Sequence, residues 1–368
     1  MRYSLYLLPL IVLVASCSAE TGKQASSGAT GASAQDASDP LAADIVLINQ
    51  SAPPATVPSP PVAGSAVSGA AGTPVSPFAI RAEAMLAREH FSPGVVDGQY
   101  GSNLRNAVAA YQTARGLAVS GSIDSLTWQA LQAEPTSGQP VVHGYIIAAA
   151  DVAGPFASDV GDDFVKLAAL PNGPQYTSPL EAQAERFHMS QALLHALNPA
   201  VDFSKAGGRI IVVDDDAPPF AKGDVARVDV AKADASVRAY DKAGMLIALY
   251  PATVGSTERP SPSGAHTVVG VSLNPDYTYD PAKLAWGPRA AGKLVIKPGP
   301  NNPVGTVWID LDAPGYGLHG TPEPDKIGKT ASHGCVRLTN WDAQALAAGV
   351  KPGTAVRFIG SRGGRSSR

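Results

Sequence analysis

Cysteine is nearly absent from this chain: 368 residues contain only Cys17 and Cys335. At most one intrachain disulfide is possible, which excludes the densely stapled architecture of small secreted domains. Charge is also sparse and balanced. Charged residues make up 16% and the formal net charge is −3, which argues against a nucleic-acid binder and against a polybasic membrane surface. The apolar run from Tyr3 to Val14 is too short to span a bilayer, which takes about 20 residues. Glycine and proline are abundant, at 37 and 32, and much of that excess precedes residue 77. The length suits two or three domains.

Arg2, the apolar run and Ala15-Ser16-Cys17 together have the layout of a signal peptide. Val14-Ala15-Ser16-Cys17 also resembles the lipobox of bacterial lipoproteins. That resemblance implies a signal over 1–16 and an acylated Cys17 as mature N-terminus and membrane anchor. An ordinary cleaved signal with an incidental cysteine is the alternative, since small residues suit both. If Cys17 carries lipid, Cys335 has no partner. Ser18 after the cysteine implies the outer membrane, with the chain facing the periplasm. From 17 to 76 the Ala/Ser/Pro/Gly-rich sequence cannot bury enough apolar surface to offset its ordering entropy, so it reads as a disordered linker.

Order is expected from Pro77. "FAIRAEAMLAREH" and "NLRNAVAAYQTARGL" carry apolar residues at helical spacing, with Gly116 as C-cap. A compact helical unit over 77–132 follows. Asp97, Gly98, Tyr100, Gly101, Ala107, Val108, Tyr111 and Gln112 resemble the pattern of the small three-helix peptidoglycan-binding domain. Residue by residue, turn and core roles are the expected ones. Over 141–214, "SPLEAQAERFHMSQALLHALNP" reads as helix from a Ser178 start and "GGRIIVVDDD" as strand. Helix, Asn-Pro and strand resemble the second half of a LysM carbohydrate-binding module. His188 and His195, seven apart, could share a helix face, but two histidines make a poor metal site.

After residue 224 the pattern changes to short β-branched runs separated by Gly, Pro, Asp and Asn, including "VARVDV", "SVRAY", "AHTVVGV", "KLVIK", "GTVWIDL" and "AVRFI". An all-β sandwich or barrel over 224–360 is predicted, with one helix in "NWDAQALAAGV" and a flexible tail over 361–368.

This β region holds His266, His319, His333 and Cys335. A thiol becomes a nucleophile beside a base that favours the thiolate, and a histidine can then protonate the leaving amine. Gly334 leaves room for substrate and lets backbone N–H groups face a developing oxyanion. Three other readings compete: a buried, inert Cys335, a zinc site on His319, His333 and Cys335, and a papain-like protease. The first fits poorly with the polar Ser-His-Gly and Arg337 neighbours. The zinc site lacks a further ligand at metal-like spacing, and papain-like enzymes carry the cysteine before the histidine.

"HGT" followed by "SHGCVRLTN" resembles the signature of L,D-transpeptidases of the YkuD type, β-rich enzymes that remodel peptidoglycan stem peptides. "STERPSPSGAHTV" and "NNPVGTVWIDLDAPGYGLHGT" extend the resemblance. It implies a YkuD-like sandwich with Cys335 as nucleophile and His319 as general base, the Gly320 carbonyl orienting the imidazole. His333 lines the substrate or oxyanion site, and Gly334 and Cys335 offer backbone donors. Ser332 and Arg337 are substrate-binding candidates with structural roles as the alternative, and His266 is not a catalyst. Expected partners are peptidoglycan stem peptides, the membrane through Cys17, and carbapenem-type β-lactams as inhibitors, with no nucleic acid. No metal or organic cofactor is expected. The expected reaction is a 3–3 crosslink through a thioester. Carboxypeptidase, D-amino-acid exchange and lipoprotein-anchoring or -releasing activities stay open, as does a non-catalytic wall-binding protein.

Overall fold

The computed structural model describes residues 41–54, 75–158, 160–256, 260–282, 288, 292–330, 332 and 334–360. The signal over 1–16, Cys17, most of the linker, His333 and the tail over 361–368 lie outside the described residues.

Among the described residues of the linker expected over 17–76 lies helix α1 (Ala42–Gln50). Two side chains anchor it. Ile48 is buried, and the Asn49 Oδ1 accepts the Val141 and Val142 N–H groups at 2.7 and 3.1 Å while Nδ2 donates to the Val142 carbonyl at 2.9 Å. Average composition hides so local an anchor.

The helical unit consists of α2 (Pro77–Arg88), α3 (Ser102–Ala114) and α4 (Ser125–Ala133). Ser76 caps α2 through its hydroxyl, with Pro77 opening the helix. Gly116, at φ +66°, ends α3: its N–H donates to the Thr113 carbonyl and that of Leu117 to Gln112, the paired bonds of a left-handed glycine cap. The family-like residues serve turns and core here. Gln112, fully buried, accepts the Ser120 and Gly121 N–H groups and donates to Ser122 and Thr127. Asp124 caps α4.

In the middle segment, β1 (Val142–Ile146) pairs antiparallel with β2 (Arg209–Val213). Between them lie α5 (Phe164–Ala169), α6 (Pro179–Arg186) and α7 (Gln191–Leu197). The helix expected from Ser178 onward is therefore two helices. His188 sits in the left-handed region at φ +52°, and Ser190 caps α7. This break means that His188 and His195 share no helix face. One apolar core, including Phe78, Leu86, Tyr111, Leu194 and Ile211, joins the helical unit to the middle segment.

The C-terminal part contains β3 (Arg227–Ala231), β4 (Ser236–Tyr240), β5 (Leu246–Pro251), β6 (Gly264–Leu273), β7 (Tyr277–Tyr279), β8 (Leu294–Ile296), β9 (Val307–Leu311), β10 (Gly317–His319), β11 (Val336–Arg337), α8 (Asn340–Gly349) and β12 (Ala355–Ile359). Eight strands run in the order β11-β10-β9-β6-β12-β3-β4-β5. The expected sandwich is realised as two half-sheets sharing β6. Its first part pairs with β12 and its second with β9, with an irregularity between Val268 and Gly270; such a bulge bends a strand. A second core, with Val228, Tyr250, Ile309, Leu318 and Leu346, fills this region.

Several contacts join the C-terminal part to what precedes it, among them one at the sheet edge and one at the β7–β8 hairpin. The Ser92 N–H donates to the Leu249 carbonyl and the Leu249 N–H to that of His90, both at 2.9 Å. Thus residues 90–92 extend the sheet edge at β5. On the other side, Phe164 and Leu167 of α5 pack on Tyr279 and Ile296 of the β7–β8 hairpin.

Candidate active site

The site is built on the parallel pair β10–β11, where Leu318 aligns with Val336 and His319 with Arg337. Leu318 and Val336 are buried in the core. Alternation along a strand then turns His319, Arg337 and, one step before β11, Cys335 to the opposite face. His319, Gly320, Ser332, Gly334, Cys335 and Arg337 thus gather at one end of the sheet, while His333 is outside the described residues. His266 lies elsewhere and pairs with Asp312 at 2.8 Å.

His319 is 4% exposed. Its Nδ1 bonds the Gly320 carbonyl at 2.7 Å; since a carbonyl only accepts, the proton sits on Nδ1 and Nε2 keeps the lone pair. Burial, reinforced by the Arg337 cation, pushes the imidazole down to about 4, against the pull of the Gly320 and Val304 carbonyls. At neutral pH the imidazole is uncharged.

Burial also raises the Cys335 thiol above its ordinary value, while the Gly317 N–H and Arg337 partly oppose it. The resting pair is accordingly a neutral thiol and a neutral imidazole. The thiol makes a long contact of 3.7 Å to the Gly315 carbonyl. Among the described residues no carboxylate pairs with Arg337, whose backbone is fixed by two 2.9 Å bonds with Thr253. Its charge remains available to the site.

The turn before Cys335 depends on two small residues. Gly334 has φ +121°, and a Cβ there would lie 3.1 Å from Tyr316 Cε1. Ser332 accepts the Gly334 N–H at 3.2 Å and donates to the Cys335 carbonyl at 2.5 Å. The hydroxyl that shapes the turn thus accepts the N–H of Gly334, one of the two expected backbone donors. Ser332 is 4% exposed.

Four further side chains, Trp308, Tyr277, Tyr316 and Asn340, complete the surroundings, and of these the sequence pointed only to Asn340, in a structural role. The Trp308 ring stacks on His319 at 5.4 Å and 22°. Its indole N–H donates to Asp310 at 3.2 Å, and it lies over Gly317, where a Cβ would be 2.7 Å from Cζ2. Tyr277 is raised by burial and by the neighbouring Cys335. Tyr316 backs the glycine turn, and Asn340 lies against Gly320 in the loop after His319. No local periodicity marks these residues.

The family model for the L,D-transpeptidase catalytic domain (YkuD) matches residues 225–358, and that for a peptidoglycan binding domain matches 77–131. The chain is 30% identical over 229 residues to the Escherichia coli protein named "Probable L,D-transpeptidase YbiS", covering 59% of this chain and 72% of that one. Among solved structures, an L,D-transpeptidase from Xylanimonas cellulosilytica aligns with a TM-score of 0.34 at 16% identity, over 79% of this chain and 100% of its own. L,D-transpeptidase 3 from Mycobacterium tuberculosis aligns with a TM-score of 0.32 at 15% identity, over 42% of this chain and 76% of its own.

Proposed function

This chain belongs to the YkuD-type L,D-transpeptidase family and is an L,D-transpeptidase enzyme; from that premise we propose that Cys335 is its acyl-carrying nucleophile and His319 its general base. The donor is a tetrapeptide stem. Cys335 Sγ attacks the carbonyl of the L-to-D bond after the diamino acid, and Nε2 of His319 takes the thiol proton. Collapse of the tetrahedral intermediate breaks the C–N bond, and the same proton goes to the departing nitrogen of D-Ala. The thioester is then attacked by an amine of a second stem; His319 takes the amine proton and returns it to the thiolate as the 3–3 crosslink forms.

The observation that carries this reading is the common face of β10 and β11, with the His319 proton held on Nδ1 by Gly320 at 2.7 Å. A neutral base suits a protonated thiol better than an imidazolium, since it can accept the proton during attack. Arg337 supports charge on the thiolate and suits a substrate carboxylate. The same thiol is the proposed target of carbapenems. Mass spectrometry after incubation with a purified tetrapeptide stem tests the scheme: the mass of the acyl-enzyme is expected on wild type and not on Cys335→Ala. Adding a second stem should release crosslinked dimer; release of free tripeptide alone would favour carboxypeptidase activity.

The reading extends to location. The peptidoglycan binding domain over 77–131 and the two-strand, LysM-like middle segment would hold the enzyme on the wall, raising local substrate concentration. Lipid on Cys17 would tether it to the outer membrane, facing the periplasm. Retention of Cys17→Ala in the membrane fraction would contradict the anchor, and equal sacculus binding after deletion of 77–131 would contradict the wall-holding role.

A further inference from the structure

We propose that Glu185, contributed by the middle segment and not by the catalytic sheet, is a positioning residue for the base His319 and acts through Asn340. The inference rests on the reading of His319 as base, and it assigns to the middle segment a part in catalysis beyond wall attachment.

Asn340 opens α8 and is 3% exposed. Its amide is fully committed. Nδ2 donates to both carboxylate oxygens of Glu185 at 3.1 and 3.2 Å and to the Pro300 carbonyl at 3.2 Å. On the other side, Oδ1 accepts the Thr306 N–H at 3.1 Å. A flipped amide would set oxygen against carboxylate and NH₂ against N–H, so Glu185 fixes which end faces the base.

That end fills a hollow made by two glycines. A Cβ on Gly305 or on Gly320 would each lie 2.1 Å from Asn340 Oδ1. The Gly320 backbone therefore lies directly against the amide oxygen, and the Gly320 carbonyl receives the His319 Nδ1 proton at 2.7 Å. The chain of contacts runs Glu185, Asn340, Gly320, His319, each link buried. Glu185 is in turn held by the Tyr176 hydroxyl at 3.1 Å. A parallel link supports the same loop, since Asn301 Nδ2 donates to Glu181 at 2.9 Å and to the Gln175 carbonyl at 3.1 Å.

The chemical consequence is specific. With the carboxylate gone, the Asn340 amide can rotate, the Gly320 carbonyl loses its backing, and the imidazole no longer holds one tautomer and direction. Substrate contacts are untouched, so the loss belongs to the chemical step.

The test uses the full chain, saturation kinetics of Cys335 acylation by a carbapenem, and ¹⁵N NMR of histidine-labelled protein. Glu185→Ala should lower the maximal acylation rate per folded molecule on the order of 10- to 100-fold, the scale of a misplaced catalytic group. The half-saturating concentration should stay within about two-fold, since ground-state binding is unchanged. The His319 signal should pass from a single Nδ1–H tautomer to a mixture. Glu185→Gln, whose amide oxygen still accepts from Asn340, should recover most of the rate and the single tautomer. Asn340→Ala breaks the same link independently and should reproduce the loss, which keeps the test decisive if Glu185→Ala does not fold. Wild-type acylation with an unchanged His319 signal in the folded variant would overturn the proposal. A loss explained wholly by the unfolded fraction would overturn it too. His319→Gln separates the two levels: wild-type acylation of that variant would refute the base itself, whereas its inactivity beside a fully active Glu185→Ala would refute only the positioning role.

Discussion

His319 and His188 occupy two neighbouring regions of the molecule, and their surroundings drive the same imidazole in opposite directions. Burial lowers both. At the sheet end, Arg337 adds a positive charge and His319 falls to about 4. At the seam between middle segment and α8, His188 bonds Asp215 at 2.9 Å and stacks on Trp341 at 4.8 Å. There Asp215, Asp216 and Asp342 outweigh burial and raise it. One region favours the neutral ring, and the other favours the protonated one. The difference teaches that burial alone does not decide a histidine's charge; the sign of its nearest neighbours does.

The largest effect expected from breaking this comparison is on chemistry. His319→Gln should slow acylation by about 10²- to 10⁴-fold, the usual worth of a positioned base, measured by stopped-flow with a carbapenem. The seam should respond in stability instead. Asp215→Asn leaves His188 without its main counter-charge and should cost about 1–3 kcal/mol, read from urea unfolding, with acylation per folded molecule retained.

pH should pull the two regions apart. Glu185 and Asp342 are raised to about 7 chiefly by burial, and His188 is raised by its acidic neighbours. Groups held above their unfolded values stabilise fully below those values, and this contribution is lost as pH rises through the folded ones. Seam protection should therefore decline as pH rises through about 7. His319 has the opposite sign: its contribution is present above the ordinary histidine value and lost as pH falls towards about 4. Hydrogen exchange of α6 and α8 against β9 and β10, followed from pH 4 to 8 (about the span of these titrations), checks both trends. Parallel behaviour of the two regions would refute the assignment of opposite signs.

The smallest effect sharpens the comparison. Arg337→Gln removes the cation that lowers both His319 and Cys335. The acylation profile should move to higher pH by roughly a unit or less, and the His319 titration should rise. No movement of either would show that Arg337 does not set the local charge.

Much of this was legible in the sequence because it is local. The β-branched runs announced β3, β4, β6, β9 and β12; Gly116 announced the end of α3; and the HGT and SHGCVRLTN motifs announced the family. The rest is non-local or too short. β7, β10 and β11 have three, three and two residues, fewer than period-two alternation needs to appear. α1 rests on Ile48 and Asn49 within low-complexity sequence. The two-helix break hangs on the backbone of His188, a residue not usually read as a turn. Glu185 and Asn340 are 155 residues apart, and no spacing rule links them. Trp308 reads simply as part of a strand, yet its ring stacks on His319.

The account rests above all on which atom carries the acyl group. Intact-mass analysis of the full chain after incubation with a tetrapeptide stem, followed by peptide mapping, addresses this directly. The account predicts one thioester-linked adduct on the peptide containing Cys335, discharged by an amine acceptor and not formed on Cys335→Ala. An active enzyme with an adduct elsewhere, or crosslinking undiminished in Cys335→Ala, would contradict it.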